Sequence, residues 1–256
     1  MTSPRNGTTR SIMGQDAPGT PTCQISIVIP VYNEEGLLAT AVNDLITRLH
    51  EIPMTCEVIL SENGSKDRTR EIAQELALRI PNIRVLHTDE PNYGKALKRG
   101  IEEAHGAIVL CDEIDICDVD FYKVALEFLT ADRADMVVGS KRHPAARDAR
   151  PFLRRFATQI LNLMLRMIVG FKGTDTHGLK AFQRAPLLPV VRSCIVEKDL
   201  FASELVIRAE RVVRVVEVPV RIMEKRPPSI NLFKRVPNVL RNLWRLFLVI
   251  RLGRRA

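Results

Sequence analysis

AIVLCDEIDICDVD (Ala107–Asp120) sets an apolar run directly ahead of five carboxylates. Ile108, Val109 and Leu110 read as a short, fully buried strand of the kind found in parallel sheets, which puts Asp112, Glu113 and Asp115 at its carboxyl end. Open α/β sheets bind their ligands there. Carboxylates one and two residues apart at a strand end turn several hard oxygens toward one point, as a divalent cation carrying a diphosphate requires. The competing reading is a solvated acidic loop capping the next helix. It suits Asp118 and Asp120, because Asp is a favoured N-cap and FYKVALEFL follows. For Asp112, Glu113 and Asp115 the local pattern leaves both readings open.

Outward from this stretch, strands alternate with helices. ISIVIPVYNEE (Ile25–Glu35) begins with a β-branched run, Ile25 to Ile29, that suits a buried strand ended by Pro30. Leu37 to Leu49 then carries apolar residues at helical spacing. Val58 to Leu60 is a second strand, Glu62 to Asp67 a polar turn around Gly64, and Arg68 to Ile80 an amphipathic helix. IRVLHT, the loop DEPNYGK and a helix from Ala96 to Ala104 lead into the focal strand. This alternation predicts βαβ units and a mostly parallel sheet. All of these turns lie on one side of such a sheet, so Tyr32, Asn33, Glu34, Glu62, Asn63, Ser65, Asp67, Lys95, Asp112, Glu113 and Asp115 are candidates for one cleft. Singly, each also fits a duller role: Glu34 and Glu35 in a helix's first turn, Asp67 as a cap, Lys95 at a solvated helix end.

The second half opens with a strand from Met136 to Val138 that ends in Ser140, Lys141 and Arg142. A basic segment follows from Arg147 to Arg155, and then ATQILNLMLRMIVG, apolar on all faces. The loop FKGTDTHGLKAF carries Asp175, His177, Gly178 and Lys180; a helical stretch covers Phe201 to Glu210. RVVRVVEVPVRI alternates as a strand does, and Pro219 confines it to the sheet's edge. The tail, residues 231–256, joins Leu232, Phe233, Leu240, Trp244 and Phe247 to Lys234, Arg235, Arg241, Arg245 and Arg251. Its longest uncharged run is far below the about 20 residues of a spanning helix. An apolar, Trp-bearing face opposite a basic one describes a helix lying in the interface of an anionic membrane. Packing on the domain, or on a second subunit in a homodimer, is the alternative.

Composition narrows the function classes. A chain of 256 residues with 46% hydrophobic and 27% charged residues is an ordinary globular chain. The net charge of +8 calls for an anionic partner. The acidic strand end argues against nucleic acid, and no stacking aromatics interleave with the basic residues. Five cysteines without a CxxC pair suggest reduced thiols in the cytoplasm. Residues 1–22 lack the apolar core of a signal peptide and read as a disordered leader.

With these residues in view, the chain from about Ile25 to Ser229 resembles the family 2 glycosyltransferases of the GT-A fold, and among them the polyprenyl-phosphate sugar transferases. VIPVYNEE resembles the family's opening strand and nucleotide loop, through Pro30, Tyr32, Asn33 and Glu34. SENGSKDRT stands where the family has a DDGSxDxT turn, which implies donor contacts for Glu62, Asn63 and Ser65. NYGKALKRGI resembles its GKgxAlnxGi segment and brings in Lys95. The metal motif departs from the family's DxD. Here the choice is Glu113-Ile114-Asp115 or Asp112 through Asp115, with Asp115 and Glu113 as metal ligands and Asp112 near the diphosphate. GSKR places Arg142 near the family's GSR arginine, and Arg154, Arg155 and Thr158 resemble its acceptor-phosphate helix. DTHGLKAF keeps Asp175 and Lys180 of a further block, and EKRPPS supplies Arg226 and Ser229. The resemblance implies a GT-A domain over 23–230 and a basic amphipathic helix over 231–256. It further implies Mg²⁺ or Mn²⁺, a GDP- or UDP-hexose donor, a lipid phosphate acceptor, and a cytoplasmic enzyme held peripherally at the membrane's cytoplasmic face. Catalysis would fall to Asp115, Arg142 and Asp175, the last as base if the acceptor were a hydroxyl on a soluble molecule.

Overall fold

The computed structural model describes residues 23–140, 147–148, 159–160, 163–168, 170–176, 178–222, 241, 244–248 and 250. The expected leader, the acceptor candidates Arg142, Arg154, Arg155, Thr158, Arg226 and Ser229, residue His177, and most of the tail lie outside them.

Three βα units open the chain: β1 (Ile25–Val31), α1 (Leu38–Leu49), β2 (Cys56–Asn63), α2 (Thr69–Arg79), β3 (Ile83–Thr88) and α3 (Tyr93–Glu102). β4 (Ile108–Cys111), α4 (Val119–Thr130), β5 (Met136–Ser140) and the two-residue β6 (Arg147–Asp148) follow. Beyond them come β7 (Lys180–Gln183), α5 (Arg184–Ser193), a 3₁₀ turn (Lys198–Leu200), α6 (Phe201–Ala209), β8 (Val215–Pro219) and β9 (Arg221–Ile222). Seven strands form one sheet in the order β3-β2-β1-β4-β7-β5-β8, while β6 and β9 pair separately. Within the large sheet β7 alone runs antiparallel, against β4 on one side and β5 on the other. The mostly parallel sheet and the edge position of the Pro219 strand are as the pattern predicts. The strand at Lys180–Gln183 is not, since Lys180 to Phe182 read as the end of a loop, and the helix at Arg184–Ser193 falls where the pattern assigns no element.

Period-two alternation along the strands splits the core into two layers. Ile25, Ile27, Ile29, Val58, Leu60, Ile108 and Leu110 pack under α1, α2 and α4. Val28, Ile59, Val109, Met136, Val138 and Phe182 pack under α3, α5 and α6. Each fully buried branched or aromatic side chain contributes about 1.5–3 kcal/mol, so both faces of the sheet are fixed by apolar burial.

β1 runs two residues further than the sequence suggests, through Pro30 to Val31. Successive residues of a parallel strand bond to alternate neighbours. The Val28 carbonyl accepts from the Asp112 amide (3.1 Å), so Pro30 also faces the β4 side. β4 pairs with β1 only as far as Val28, so β4 has ended by then and a missing N–H costs nothing. The sheet's order reverses between β1 and β4, because β2 lies to one side of β1 and β4 to the other. That reversal opens a crevice at the strands' carboxyl ends, the usual ligand site of such sheets.

Candidate active site

Two loop ends at this crevice are tied directly to each other. Asn33, in the left-handed region at φ 54°, donates its amide to Ser65 Oγ (3.0 Å), and its Oδ1 accepts from the Lys66 amide (2.9 Å). The Glu34 amide donates to Thr69 Oγ1 (2.6 Å), the Glu35 amide donates to Asp67 Oδ2 (3.2 Å), and Glu35 Oε2 accepts from the Arg68 amide (3.1 Å) across the same seam. Tyr32 projects into solvent. The loop after β1 and the turn after β2 therefore form one rigid rim.

Glu62 builds that rim from inside. Its fully buried carboxylate accepts from the Ser65 amide (2.6 Å) and meets His87 Nδ1, while His87 Nε2 faces Asp89 Oδ1 (2.9 Å). This geometry gives Glu62 the shaping of the turn rather than an open face toward a nucleotide. Burial alone would raise its pKa, but the bonds from Ser65 and His87 outweigh burial and hold it below the ordinary glutamate value. A carboxylate lowered in this way stabilises the fold fully above its free value of 4.5, and the stabilisation is lost as pH falls through the lower folded value. Glu62→Gln is therefore expected to cost about 1–3 kcal/mol in urea melts at pH 7. The difference should shrink as pH falls below 4.5 and through that lowered value; a pH-independent difference would assign the loss to packing.

The third loop end belongs to α3, which starts at Tyr93, one turn earlier than its apolar spacing suggests. Asn92 is its N-cap: Oδ1 accepts from the Lys95 amide (3.1 Å), and its own amide donates to Asn63 Oδ1 (2.6 Å). Asn63 thus ties β2 to α3 and, like Asn92, is buried. Lys95 sits in the first helical turn with Nζ 3.2 Å from Glu90 and 3.4 Å from Glu197.

The fourth is the acidic turn. Asp112, 2% exposed, points inward. Oδ1 accepts from the Glu113 amide (2.6 Å), and Oδ2 accepts from the Asp118 amide (3.0 Å) and the Tyr122 hydroxyl (2.5 Å). Burial raises its pKa to about 7 against the pull of those donors. An inward Asp112 shapes the loop, its oxygens turned to these donors rather than to the crevice expected of a diphosphate contact. Asp118 is the N-cap of α4, accepting from the Phe121 amide (3.0 Å), whereas Asp120 pairs with Arg48 (3.0 Å) and caps nothing. Ile114 turns into the core, and of the partly exposed carboxylates Asp118 is taken up by the helix cap, which leaves Glu113 and Asp115. Burial, and then the charges of Glu113, Asp112 and Asp115, push the Tyr93 phenol well above its usual pKa, so α3's first turn faces the acidic turn. Tyr93 is a candidate that the sequence reading missed; its place two residues before Lys95 in NYGK was the available signal.

Among the described residues no group of three or more His, Cys, Asp or Glu side chains could hold a metal ion. Glu113 and Asp115 alone cannot make a cage. Two carboxylates completed by diphosphate oxygens and water are nonetheless a normal hard-oxygen set for Mg²⁺ or Mn²⁺, so the residues fit a cation that arrives with its substrate.

On the far side of β4, Lys180 pairs across the ladder with Cys111 and is 3% exposed, its Nζ donating to the Gly178 carbonyl (2.6 Å). Its charge lies within the protein beside the acidic turn rather than on an open acceptor surface. Asp175 is buried as well, and its amide donates to Glu217 Oε1 (3.2 Å). Glu217 also accepts from the Thr174 amide (2.6 Å) and hydroxyl (2.5 Å). Arg142, Arg154, Arg155, Thr158, Arg226 and Ser229 fall outside the described residues, so the acceptor half is represented here by Asp175 and Lys180.

A seven-stranded sheet of this order with a crevice at its switch point is the GT-A architecture. Glucosyl-3-phosphoglycerate synthase from Mycobacterium tuberculosis superposes with a TM-score of 0.64, covering 91% of this chain and 86% of that one at 20% identity. That structure holds Mn²⁺, UDP-glucose and phosphoglyceric acid. The chain belongs to glycosyl transferase family 2, whose pattern matches residues 26–187. Glycosyltransferase AglD of Haloferax volcanii is 29% identical over 91% of this chain and 39% of its own length. Dolichyl-phosphate beta-glucosyltransferase ALG5C of Trichomonas vaginalis is 30% identical over 76% of this chain and 62% of its own. The chain thus spans between about two-fifths and three-fifths of these relatives.

Proposed function

We propose that this chain transfers a hexose from a UDP- or GDP-sugar to a polyprenyl phosphate at a membrane surface, by single displacement with inversion. The observation that carries the reading is the meeting of the loops after β1, β2, β3 and β4 at one crevice, with Glu113 and Asp115 facing the first turn of α3. The dolichyl-phosphate relative supports the acceptor class. In this reading Asp115 and Glu113 hold the diphosphate end of the donor through a divalent cation, which when bound offsets the charge developing on the leaving nucleotide. Lys95 adds a cationic contact from a helix N-terminus, where anions are favoured. A phosphate acceptor is already anionic and needs no base, so Arg142, Arg154 and Arg155 serve to position it by charge-assisted bonds, joined by Thr158, Arg226 and Ser229. Asp175 becomes the candidate base only for a hydroxyl acceptor.

The test is a panel of UDP- and GDP-sugars, assayed with Mg²⁺, Mn²⁺ or chelator, against a short-chain polyprenyl phosphate and, separately, phosphoglycerate. Transfer to the lipid phosphate is expected. Transfer to phosphoglycerate alone would replace the acceptor, and no turnover of any donor would end the reading.

Membrane attachment is the second part of the proposal. No helix among the described residues is long and apolar enough to cross a bilayer. Leu246 is fully buried and Ile250 packs on the α3–α5–α6 layer, so one face of the tail helix is docked on the domain. Trp244, 62% exposed and stacked with Phe247 at 5.5 Å, is left on the outside. Docking by one face and lipid contact by the other are compatible, and they make a point substitution a cleaner probe than truncation. Trp244→Glu is expected to lower partitioning onto anionic vesicles about 10-fold with Tm unchanged. Equal partitioning of both proteins would remove the lipid role of this face.

A further inference from the structure

The segment between α5 and α6 reaches back onto the donor side of the crevice in a way the proposed chemistry does not use. Asn92 Oδ1, besides capping α3, accepts from the Lys198 amide (3.0 Å), and Asn92 Nδ2 donates to Glu197 Oε2 (3.0 Å). These bonds join residues more than a hundred positions apart. Gly94 lets the two pieces touch, since a Cβ there would sit 2.7 Å from the Lys198 nitrogen and 2.8 Å from Phe201 Cβ. Lys198 itself is held at φ 56°. A non-glycine residue in that region costs on the order of 1 kcal/mol and persists only where its surroundings fix it. The strained residue places the preceding carboxylate, Glu197, against the ammonium of Lys95 at 3.4 Å.

Lys95 has a second partner, Glu90, at 3.2 Å on the loop before α3. The two carboxylates differ in what restrains them. Both side chains are half exposed or more, 50% for Glu197 and 62% for Glu90, but Glu197 is also tied to the buried Asn92. Removing the Glu197 charge leaves Lys95 paired to the loop alone, and keeping that charge holds the ammonium over the helix's first turn. We infer that Glu197 is a positioning residue for donor binding, acting through Lys95: held by Asn92, it keeps the Lys95 ammonium where a nucleoside diphosphate meets the N-terminus of α3. This rests on the nucleotide-sugar reading of the crevice, and it assigns the 194–200 segment to the donor site.

The experiment is calorimetric titration of UDP and of GDP, with Mn²⁺ in the buffer, into the full chain as wild type, Glu197→Gln, Lys95→Met and the double variant. Glutamine keeps an acceptor for Asn92 Nδ2, so the tie to α3 survives while the charge is lost. Glu197→Gln is expected to weaken binding of the preferred nucleotide about 5-fold, the size of an exposed ion pair. In the Lys95→Met background it should add nothing, because a residue acting through Lys95 has no other route. Unchanged or tighter binding by Glu197→Gln would overturn the inference, as would an equal loss in both backgrounds, which marks a merely structural role. Those results leave the donor reading standing, whereas a wild type that binds neither nucleotide overturns both.

Discussion

Asp115→Ala is expected to reduce sugar transfer about 100- to 1,000-fold, the loss that follows when one preorganised group that stabilises charge on a leaving oxygen is removed. Of the carboxylates packed into residues 112–120, only Glu113 and Asp115 combine partial exposure with proximity to Tyr93 at the head of α3. Asp112 has spent its oxygens on Glu113, Asp118 and Tyr122, and Asp118 on the helix cap. Glu113 and Asp115 cannot stabilise a departing diphosphate directly, because like charges repel; in the proposed mechanism their value would lie in holding a cation that accompanies it. Asp120→Ala is the control, since that side chain pairs with Arg48 on the surface. The measurement is initial-rate transfer by both variants, with the donor and cation that give the highest wild-type rate. Transfer undiminished in Asp115→Ala would remove the assignment.

The largest effect on stability is expected at Gly178, where an added Cβ would lie 1.7 Å from the Gly139 carbonyl oxygen, a collision with backbone that no rotamer relieves. The Gly139 amide also donates to the Leu179 carbonyl (2.8 Å), so two backbones are in contact where β7 enters the sheet beside β5. Gly178→Ala must part them, exposing Val138 and Ala181, both fully buried. The expected cost is about 3 kcal/mol, the upper range for overpacking. For a domain of this size that lowers Tm by roughly 6–12 °C. Gly36→Ala serves as the control, as nothing lies within 4 Å of its added carbon. Equal melting of the two variants would show that the close approach at Gly178 relaxes freely.

Much of the donor half can be read from the chain itself because its elements are locally consistent. β1 and β2 are built around apolar runs, Ile27–Ile29 and Val58–Leu60, Asp118 precedes a clear amphipathic helix, and Pro219 marks an edge. Strand-helix alternation also fixes which loop ends share the crevice. It cannot say which carboxylates face that crevice: Glu62 and Asp112 are turned inward by partners 25 and 10 residues away, His87 and Tyr122. β7 escapes notice because its four residues follow a polar, glycine-bearing stretch, and its place in the sheet's interior, between β4 and β5, is a tertiary choice. α5 escapes because Pro186 and Pro189 lie within it and proline argues against helix. The early start of α3 is hidden by Asn92-Tyr93-Gly94, which has the composition of a turn until the Asn92 cap is seen.

The antiparallel strand also constrains how the molecule is made. Among the described residues β5 has hydrogen-bonded neighbours only in β7 and β8, and β4 has β7 on its outer side. A chain growing on the ribosome therefore carries β5 idle, with the outer flank of β4 bare, until residues 180–183 emerge. An open, apolar flank is a template for pairing with another molecule. Nascent or truncated chains that stop short of Lys180 should then be the aggregation-prone species, with solubility returning once that one reversed strand can slot between its neighbours.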